Sequence, residues 1–280
     1  MLPLSDKKPK RDPGPYYRYA MADLVFKVPR KFRRGHRAND EEISVGIAVE
    51  IIEHMSKHFG LADLGETKLL DIGCGSKFTQ AILDRNLPIG QYVGIDVYAE
   101  MINFLKSNVD DPRFSFHHMN VHNEMYNQDG ETLTAETRLP MGEEKFDLIS
   151  LFSVFTHLSP HDYVAMLKLL RSYVKPDGRL FFTLFVNEET TGGYGYIDFY
   201  ARALRSAANT LPEKHKQHLI TASQNEGQPD FVDMIPEQPL KVAMYSRENA
   251  QKLIEGTGWD IESLNDPVKE IQHYMVCKPA

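Results

Sequence analysis

"LLDIGCGSKF", residues 69–78, sets an apolar run against an acid, two glycines one residue apart and then a polar stretch. A run of that kind reads as a buried strand entering a tight turn, and the residues beyond it as the first turn of a helix. Gly73 and Gly75 let the backbone pass close to a ligand with no Cβ in the way. A helix N-terminus just past them offers unpaired N–H groups and a partial positive charge. The loop therefore predicts a ligand site at the carboxyl end of a strand. A bare strand–helix turn is the competing reading of the same glycines.

The flanking residues narrow the ligand. In the dinucleotide fingerprint G-x-G-x-x-G counted from Gly73, the last glycine falls on Phe78, whose ring spoils the close helix–strand packing that this glycine serves. Asp71 closes the strand with a negative charge, which sits badly beside a pyrophosphate and better beside a cation, directly or through water. Some twenty residues on, "YVGID" ends a second strand in Asp96, a carboxylate able to accept both hydroxyls of a ribose. Val97, Tyr98 and Met101 come next as apolar surface for a purine ring, or as ordinary core. Together these features describe a nucleoside attached to a small group that carries an amine and a carboxylate, with NAD and FAD disfavoured.

Outward from this loop, strands and helices alternate. Upstream, "DEEISVGIAVEIIEHMSKHF" carries apolar residues near a 3.6 period, acids in its first turn and Gly60 just past its end, which predicts a helix. Downstream come a helix to Arg85, a strand at 91–96, a helix at 99–108 and a strand at 113–121. "KFDLISLFSVF" reads as a strand buried on both faces. "SPHDYVAMLKLLRSYV" reads as a helix with Ser159 as N-cap and Pro160 in the first turn. "KPDG" then predicts a turn, and "RLFFTLFV" a strand. At the C-terminus a helix closed by glycine leads to "WDIESL" and, after a loop too short for a crossover, to a last strand at 271–278. These two must be antiparallel. The pattern predicts an α/β fold with a mostly parallel sheet, helices on both faces and one reversed C-terminal strand. Residues 187–241 are too long for an internal loop and predict a partly helical cap insertion over the site.

The ensemble resembles the class I S-adenosylmethionine-dependent methyltransferases. "LLDIGCGSK" looks like their first motif, "GIDVYAEMI" the second, "FHHMNV" the third, and "FDLISLFSVFTHL" the fourth. The resemblance covers about residues 41–186 and 242–280. It implies a Rossmann-like seven-stranded sheet and S-adenosyl-L-methionine as cofactor. It implies cofactor contacts from Asp71, Gly73, Cys74 and Gly75, from Asp96 as the ribose acid, and from Val97 and Met101. Asn120, with Val121 beside it, falls where the adenine amino group is held. Phe152 and Ser153 would border the methionine moiety. Lys77 stands in place of a frequent glycine, and Asn120 in place of a frequent Asp. The implied domains are an N-terminal basic arm or lid at 1–40, a cofactor-binding core at 41–186, a cap at 187–241 and completion of the core at 242–280.

Methyl transfer needs a base only when the acceptor must lose a proton. His157, just past the fourth strand, is the candidate; a loop histidine bonded to its neighbours is the alternative. Tyr194, Tyr196 and Tyr200 either line an aromatic acceptor pocket or pack the cap, and Tyr16 and Tyr17 are weaker candidates for closing over the cofactor. His117, His118 and His122 lack acidic or cysteine partners at ligand spacing, so no metal is expected.

Composition bounds the function. Hydrophobic residues make up 42% of the 280 and charged residues 25%, ordinary for a globular chain. No stretch approaches the ~18 apolar residues of a membrane span. No secretory leader is evident, and two cysteines are too few for a disulfide framework, so a cytoplasmic protein with no membrane partner is expected. Residues 1–37 carry eleven Lys or Arg against three Asp, while the remainder carries 21 basic against 36 acidic residues. "KVPRKFRRGHR" is either a solvated arm lying on an acidic body or a nucleic-acid contact. The expected acceptor is a small molecule taking the methyl on O or N. RNA or protein methylation through the arm, and a non-catalytic cofactor-binding protein of the same fold, are the alternatives. Oligomeric state is not readable from these residues.

Overall fold

The computed structural model describes residues 24–33, 40–206, 230–235, 237–267 and 271–280. Tyr16, Tyr17, Arg34 and Arg37 lie outside them, as does the middle of the expected cap. The described residues divide into two compact units, one drawn from Met1–Gly65 and Ser76–Pro88, the other from Glu66–Gly75 and Ile89–Ala280.

The first unit is built on two helices. α1 (Glu41–His58) starts at Asp40, whose side chain accepts from the Ile43 N–H, and it carries Glu41 and Glu42 in its first turn. Cap and acids both suit the positive end of the helix dipole. α2 (Lys77–Arg85) ends at Asn86, left-handed at φ 48°. Residues 25–33, which the sequence assigns to the arm, are tied to these helices. Asp84 Oδ1 accepts the Val25 and Phe26 N–H groups, both at 2.7 Å. Gln80 Nε2 donates to Phe26 O and to Glu41 Oε1. Phe26, Val28 and Phe32 are buried. Arg33, from the basic cluster, forms an ion pair with Glu41 at 2.6 Å and donates from Nε to Val28 O.

The second unit is the sheet. In chain order its elements are β1 (Leu64–Ile72), β2 (Ile89–Asp96), α3 (Ala99–Asn108), β3 (Phe114–His118), β4 (Phe146–Leu151), α4 (Pro160–Arg171), β5 (Val174–Val186) and α5 (Tyr196–Ser206). β6 (Phe231–Asp233), β7 (Ala243–Tyr245), α6 (Arg247–Lys252), β8 (Trp259–Asn265) and β9 (His273–Pro279) complete it. The strands run in the order β3-β2-β1-β4-β5, with β9 antiparallel on β5 and β8 antiparallel on β9. That is the expected mostly parallel α/β plan with its reversed terminal strand. The order turns between β1 and β4, the switch point where open sheets of this kind hold ligands. α4 begins as the sequence requires: Ser159 caps Asp162 N–H, and Pro160 stands at the first helical position.

Two details differ from the sequence reading. To the seven expected strands, β3-β2-β1-β4-β5-β9-β8, the described residues add two short ones, β6 and β7. β9 pairs with β5 only as far as Leu184, and the last residues of β5, Phe185 and Val186, pair with β7, which in turn carries β6. Part of the expected cap therefore returns to the sheet. "KPDG" is also not a turn but a bulge inside β5: Phe146 pairs with Val174, and Leu148 already with Arg179. Gly178 makes this possible. A Cβ there would lie 2.9 Å from the carbonyl oxygens of Phe146 and Asp147 and 2.7 Å from Val174 Cγ2. Gly178→Ala is expected to destabilise the fold by about 1–3 kcal/mol through overpacking. The urea midpoint would report it, and an unchanged midpoint would remove glycine's role in the bulge.

One core cluster joins β1, β2, β4 and β5 to α4, α6 and β9. Phe155 stacks on Phe182 at 4.1 Å between centroids and meets Tyr163 edge-on at 4.5 Å. Each such fully buried ring contributes about 1.5–3 kcal/mol. Tyr163 donates to Ala250 O and Trp259 Nε1 to Leu167 O, so their polar tips are satisfied inside the core.

Candidate active site

The glycine turn is pinned to the end of β2. Gly73 N–H donates to Ile95 O at 2.7 Å and Cys74 N–H to the same oxygen at 3.1 Å. Gly75 N–H donates to Asp96 Oδ2 at 2.9 Å. Gly73 and Gly75 both have left-handed φ, 65° and 49°, the conformation in which glycine carries no Cβ penalty. A Cβ on Gly73 would meet Val154 Cγ2 at 2.5 Å, so the turn also depends on the loop after β4. A Cβ on Gly75 would meet nothing within 4 Å, so the backbone there faces open space.

Asp96 is half-buried and organises this end of the sheet. Its Oδ2 takes the Gly75 N–H and its Oδ1 the Tyr98 N–H at 2.9 Å. A carboxylate has about four acceptor positions, and hydroxyl donors suit them as backbone N–H groups do. Two adjacent hydroxyls suit such a group, whereas a phosphate would meet like charge. The donor and acceptor set thus fits a nucleoside, with open backbone at Gly75.

Asp71 sits differently. It is 2% exposed, and its two oxygens accept the Ser150 and Tyr92 hydroxyls, each at 2.6 Å. Burial pushes its pKa up to about 7; the two hydroxyl bonds pull the other way, and the charge of Asp96 adds to the rise. The structure therefore places Asp71 between strands, bonded to protein groups. Cys74 is also buried, with its thiol pushed well above the ordinary value, first by burial and then by Asp96 and Asp71. Its sulfur occupies the space over Gly94, where a Cβ would come within 3.0 Å of it.

On the far side of Asp96, Val97 is half-buried against the core, and Met101 is buried. Tyr98 stacks on Tyr126, with ring centroids 5.7 Å apart. Asn120 is exposed, and its Oδ1 accepts from Asn127 Nδ2, which also donates to the carbonyl of buried Val121. Tyr126 and Asn127 were not legible as site neighbours, since they lie in a polar loop whose only signal is one aromatic.

Past β4, Phe152 is half-buried, and Ser153 holds a left-handed φ of 60°. Its N–H donates to Thr183 Oγ1 and its Oγ accepts from Gln272 Nε2. His157 lies in a short 3-10 turn, with Nδ1 at 3.2 Å from Leu240 O. A carbonyl only accepts, so Nδ1 carries the hydrogen and Nε2 a lone pair. Burial lowers its pKa, against the pull of the Leu240 and Lys241 carbonyls, and so favours the neutral ring. Of the cap tyrosines, Tyr196 packs on Phe185 and Tyr200, while Tyr194 is exposed.

His118 bonds Val97 O, and His122 bonds Gln128 O and Glu124. The structure does gather Glu188, Asp266 and His273, whose ligand-capable atoms lie within 4.8 Å of one another. Arg247 already bonds both carboxylates there, so the group is a compensated ion cluster. Among the described residues no helix is long and apolar enough to cross a membrane.

Comparison with known proteins places the chain in a family. The family profile described as "Methyltransferase domain" matches residues 16–264. Among solved structures, mitomycin 7-O-methyltransferase MmcR is similar at a TM-score of 0.50 and 14% identity, covering 87% of this chain. The chain spans 58% of that relative's length. Magnesium protoporphyrin IX methyltransferase from Synechocystis PCC 6803, solved with bound SAH, has a TM-score of 0.49 and 12% identity over 90% of this chain and 92% of its own. The pyocyanin biosynthetic protein PhzM has a TM-score of 0.48 and 15% identity over 89% and 61%.

Proposed function

This chain belongs to the class I S-adenosylmethionine-dependent methyltransferases, and we propose that it moves the methyl group to the oxygen or nitrogen of a small molecule. The observation that carries the cofactor end is Asp96, a strand-end carboxylate that ties the glycine turn to Tyr98 by backbone N–H groups and is of the kind that accepts ribose hydroxyls. S-adenosylmethionine brings an activated methyl on a sulfonium, which leaves by in-line displacement, so alignment is most of the protein's task. Gly75 gives the nucleoside close backbone approach. Val97 and the Tyr98–Tyr126 stack offer an apolar wall to the base, with Asn120 beside them for its amino group. Phe152 and Ser153 border the methionine end.

The acceptor reading rests on the apolar residues gathered at the end of β5. Phe185, Tyr196, Met234 and Met244 form a cluster there, with Ile197 and Tyr200 packed against it. The four are buried on one another, and the apolar surface beside them comes from half-buried Ile197 and Tyr200 and exposed Phe199, which suits a small apolar acceptor better than a polyanion. Arg33, the last arginine of the basic cluster among the described residues, is committed to Glu41 and Val28, which weighs against the arm as an RNA contact.

His157 is the proposed base. Its Nδ1–H is spent on Leu240, and Nε2 is left to take the acceptor's proton. His157→Ala is expected to lower kcat by about 100-fold with little change in cofactor affinity, and to remove the acid limb of the pH–rate profile. Near-normal turnover would strip His157 of the role. The function itself is tested by supplying methyl-labelled S-adenosylmethionine with a cell extract separated into small molecules, RNA and protein. Label in the small-molecule fraction supports the proposal; label confined to RNA or protein overturns it.

A further inference from the structure

Ser153 is a non-glycine residue held at φ 60°, immediately past β4. Left-handed backbone is disfavoured for any residue with a Cβ, and such strain persists only where the surroundings impose it. Here they do so through a closed ring. Ser153 N–H donates to Thr183 Oγ1 at 2.8 Å, Thr183 Oγ1–H donates to Gln272 Oε1, and Gln272 Nε2–H donates back to Ser153 Oγ at 2.7 Å. Each donor is used in one direction around the ring. The Gln272 amide therefore has a single orientation that satisfies it. Thr183 is buried in β5 opposite Tyr274 of β9, and Gln272 directly precedes β9, so the pairing of the two strands brings Gln272 to Thr183.

We propose that Gln272 is a positioning residue of the methyl-transfer site. It acts through Thr183 and Ser153 to hold the 152–153 backbone in the conformation that borders the sulfonium. The proposal rests on the methyltransferase reading, in which Phe152 and Ser153 lie beside the methionine end of the cofactor. Glycine at 153 would take the same φ with no tether. Serine needs one, and the tether comes from a residue more than a hundred positions away.

The experiment is a cycle of variants titrated with S-adenosylhomocysteine by calorimetry, with thermal melting followed by circular dichroism. Gln272→Ala is expected to weaken binding about tenfold, the effect of one lost hydrogen-bond constraint. In the Ser153→Gly background the same change should cost less than about twofold, because the Oγ through which Gln272 acts is already gone and glycine takes the turn without strain. Thr183→Val opens the ring from its other side and should reproduce the loss, and it carries the test if Gln272→Ala does not fold. A merely structural role predicts the opposite, equal losses in the serine and glycine backgrounds, and that result overturns the proposal. So does wild-type affinity in Gln272→Ala. No binding by the wild-type chain would instead overturn the cofactor reading, and this proposal with it.

Discussion

Asp96→Ala is expected to weaken S-adenosylhomocysteine binding by 100-fold or more, about 2.7 kcal/mol at the least. The loss has two sources. The ribose hydroxyls lose their acceptor, and hydrogen bonds to a charged group each contribute about 1.5–3 kcal/mol. The Gly75 and Tyr98 N–H groups also lose theirs, so the left-handed turn and the start of α3 are no longer tied together. Asp96→Asn should fall between, because one amide oxygen can serve one of the two N–H groups while the NH2 faces the other. Calorimetry gives the affinities, and a far-ultraviolet spectrum shows that the sheet survives. Unchanged affinity in Asp96→Ala would remove the ribose grip and the cofactor assignment built on it.

The second large effect is on stability. Asp71 has an ordinary pKa of 3.8 and one of about 7 in the folded chain. Between those values the folded state holds a proton that the unfolded state has released, so stability falls as pH rises through the window and levels off above about 7. The whole decline is about 4 kcal/mol. Asp71→Asn removes the titration while keeping a side chain that can bond the Ser150 and Tyr92 hydroxyls. Urea midpoints measured from pH 4 to 8 should therefore slope downward in the wild type and be flatter in the variant. Asp96→Ala should also reduce the slope, since the Asp96 charge contributes to raising Asp71. Parallel profiles for wild type and Asp71→Asn would show that Asp71 ionises normally.

Features that depend on local period and local chemistry were legible in the sequence. α3 begins and ends where its apolar stripe does, α4 where Ser159 and Pro160 require. The reversed pair β8–β9 came from a connection too short for a crossover. Asp96 stood out because an acid at a strand end beside a glycine turn has few structural uses. The features that escaped depend on partners distant in the chain. β6 and β7 have three residues each, too few to show alternation. "KPDG" has turn chemistry, and only the neighbouring β4 carbonyls turn it into a bulge. Asp71 looked like a site carboxylate, and its engagement by Tyr92 and Ser150 required two other strands. The Ser153–Thr183–Gln272 ring joins three segments distant in the chain, and nothing in the fourth motif, which holds Ser153, points to the other two.

The position of β9 has a consequence for how the chain is made. β9 lies between β5 and β8, and β8 hydrogen-bonds only to it among the described strands. On a ribosome, β8 emerges with no edge to join, and it waits exposed until the residues after it arrive. Gln272 enters with β9, so the strained corner at Ser153 sets only after β9 is made. Synthesis can assemble the turn that joins Gly75 to Asp96 before β9 exists, but the corner at Ser153 closes only when β9 reaches β5.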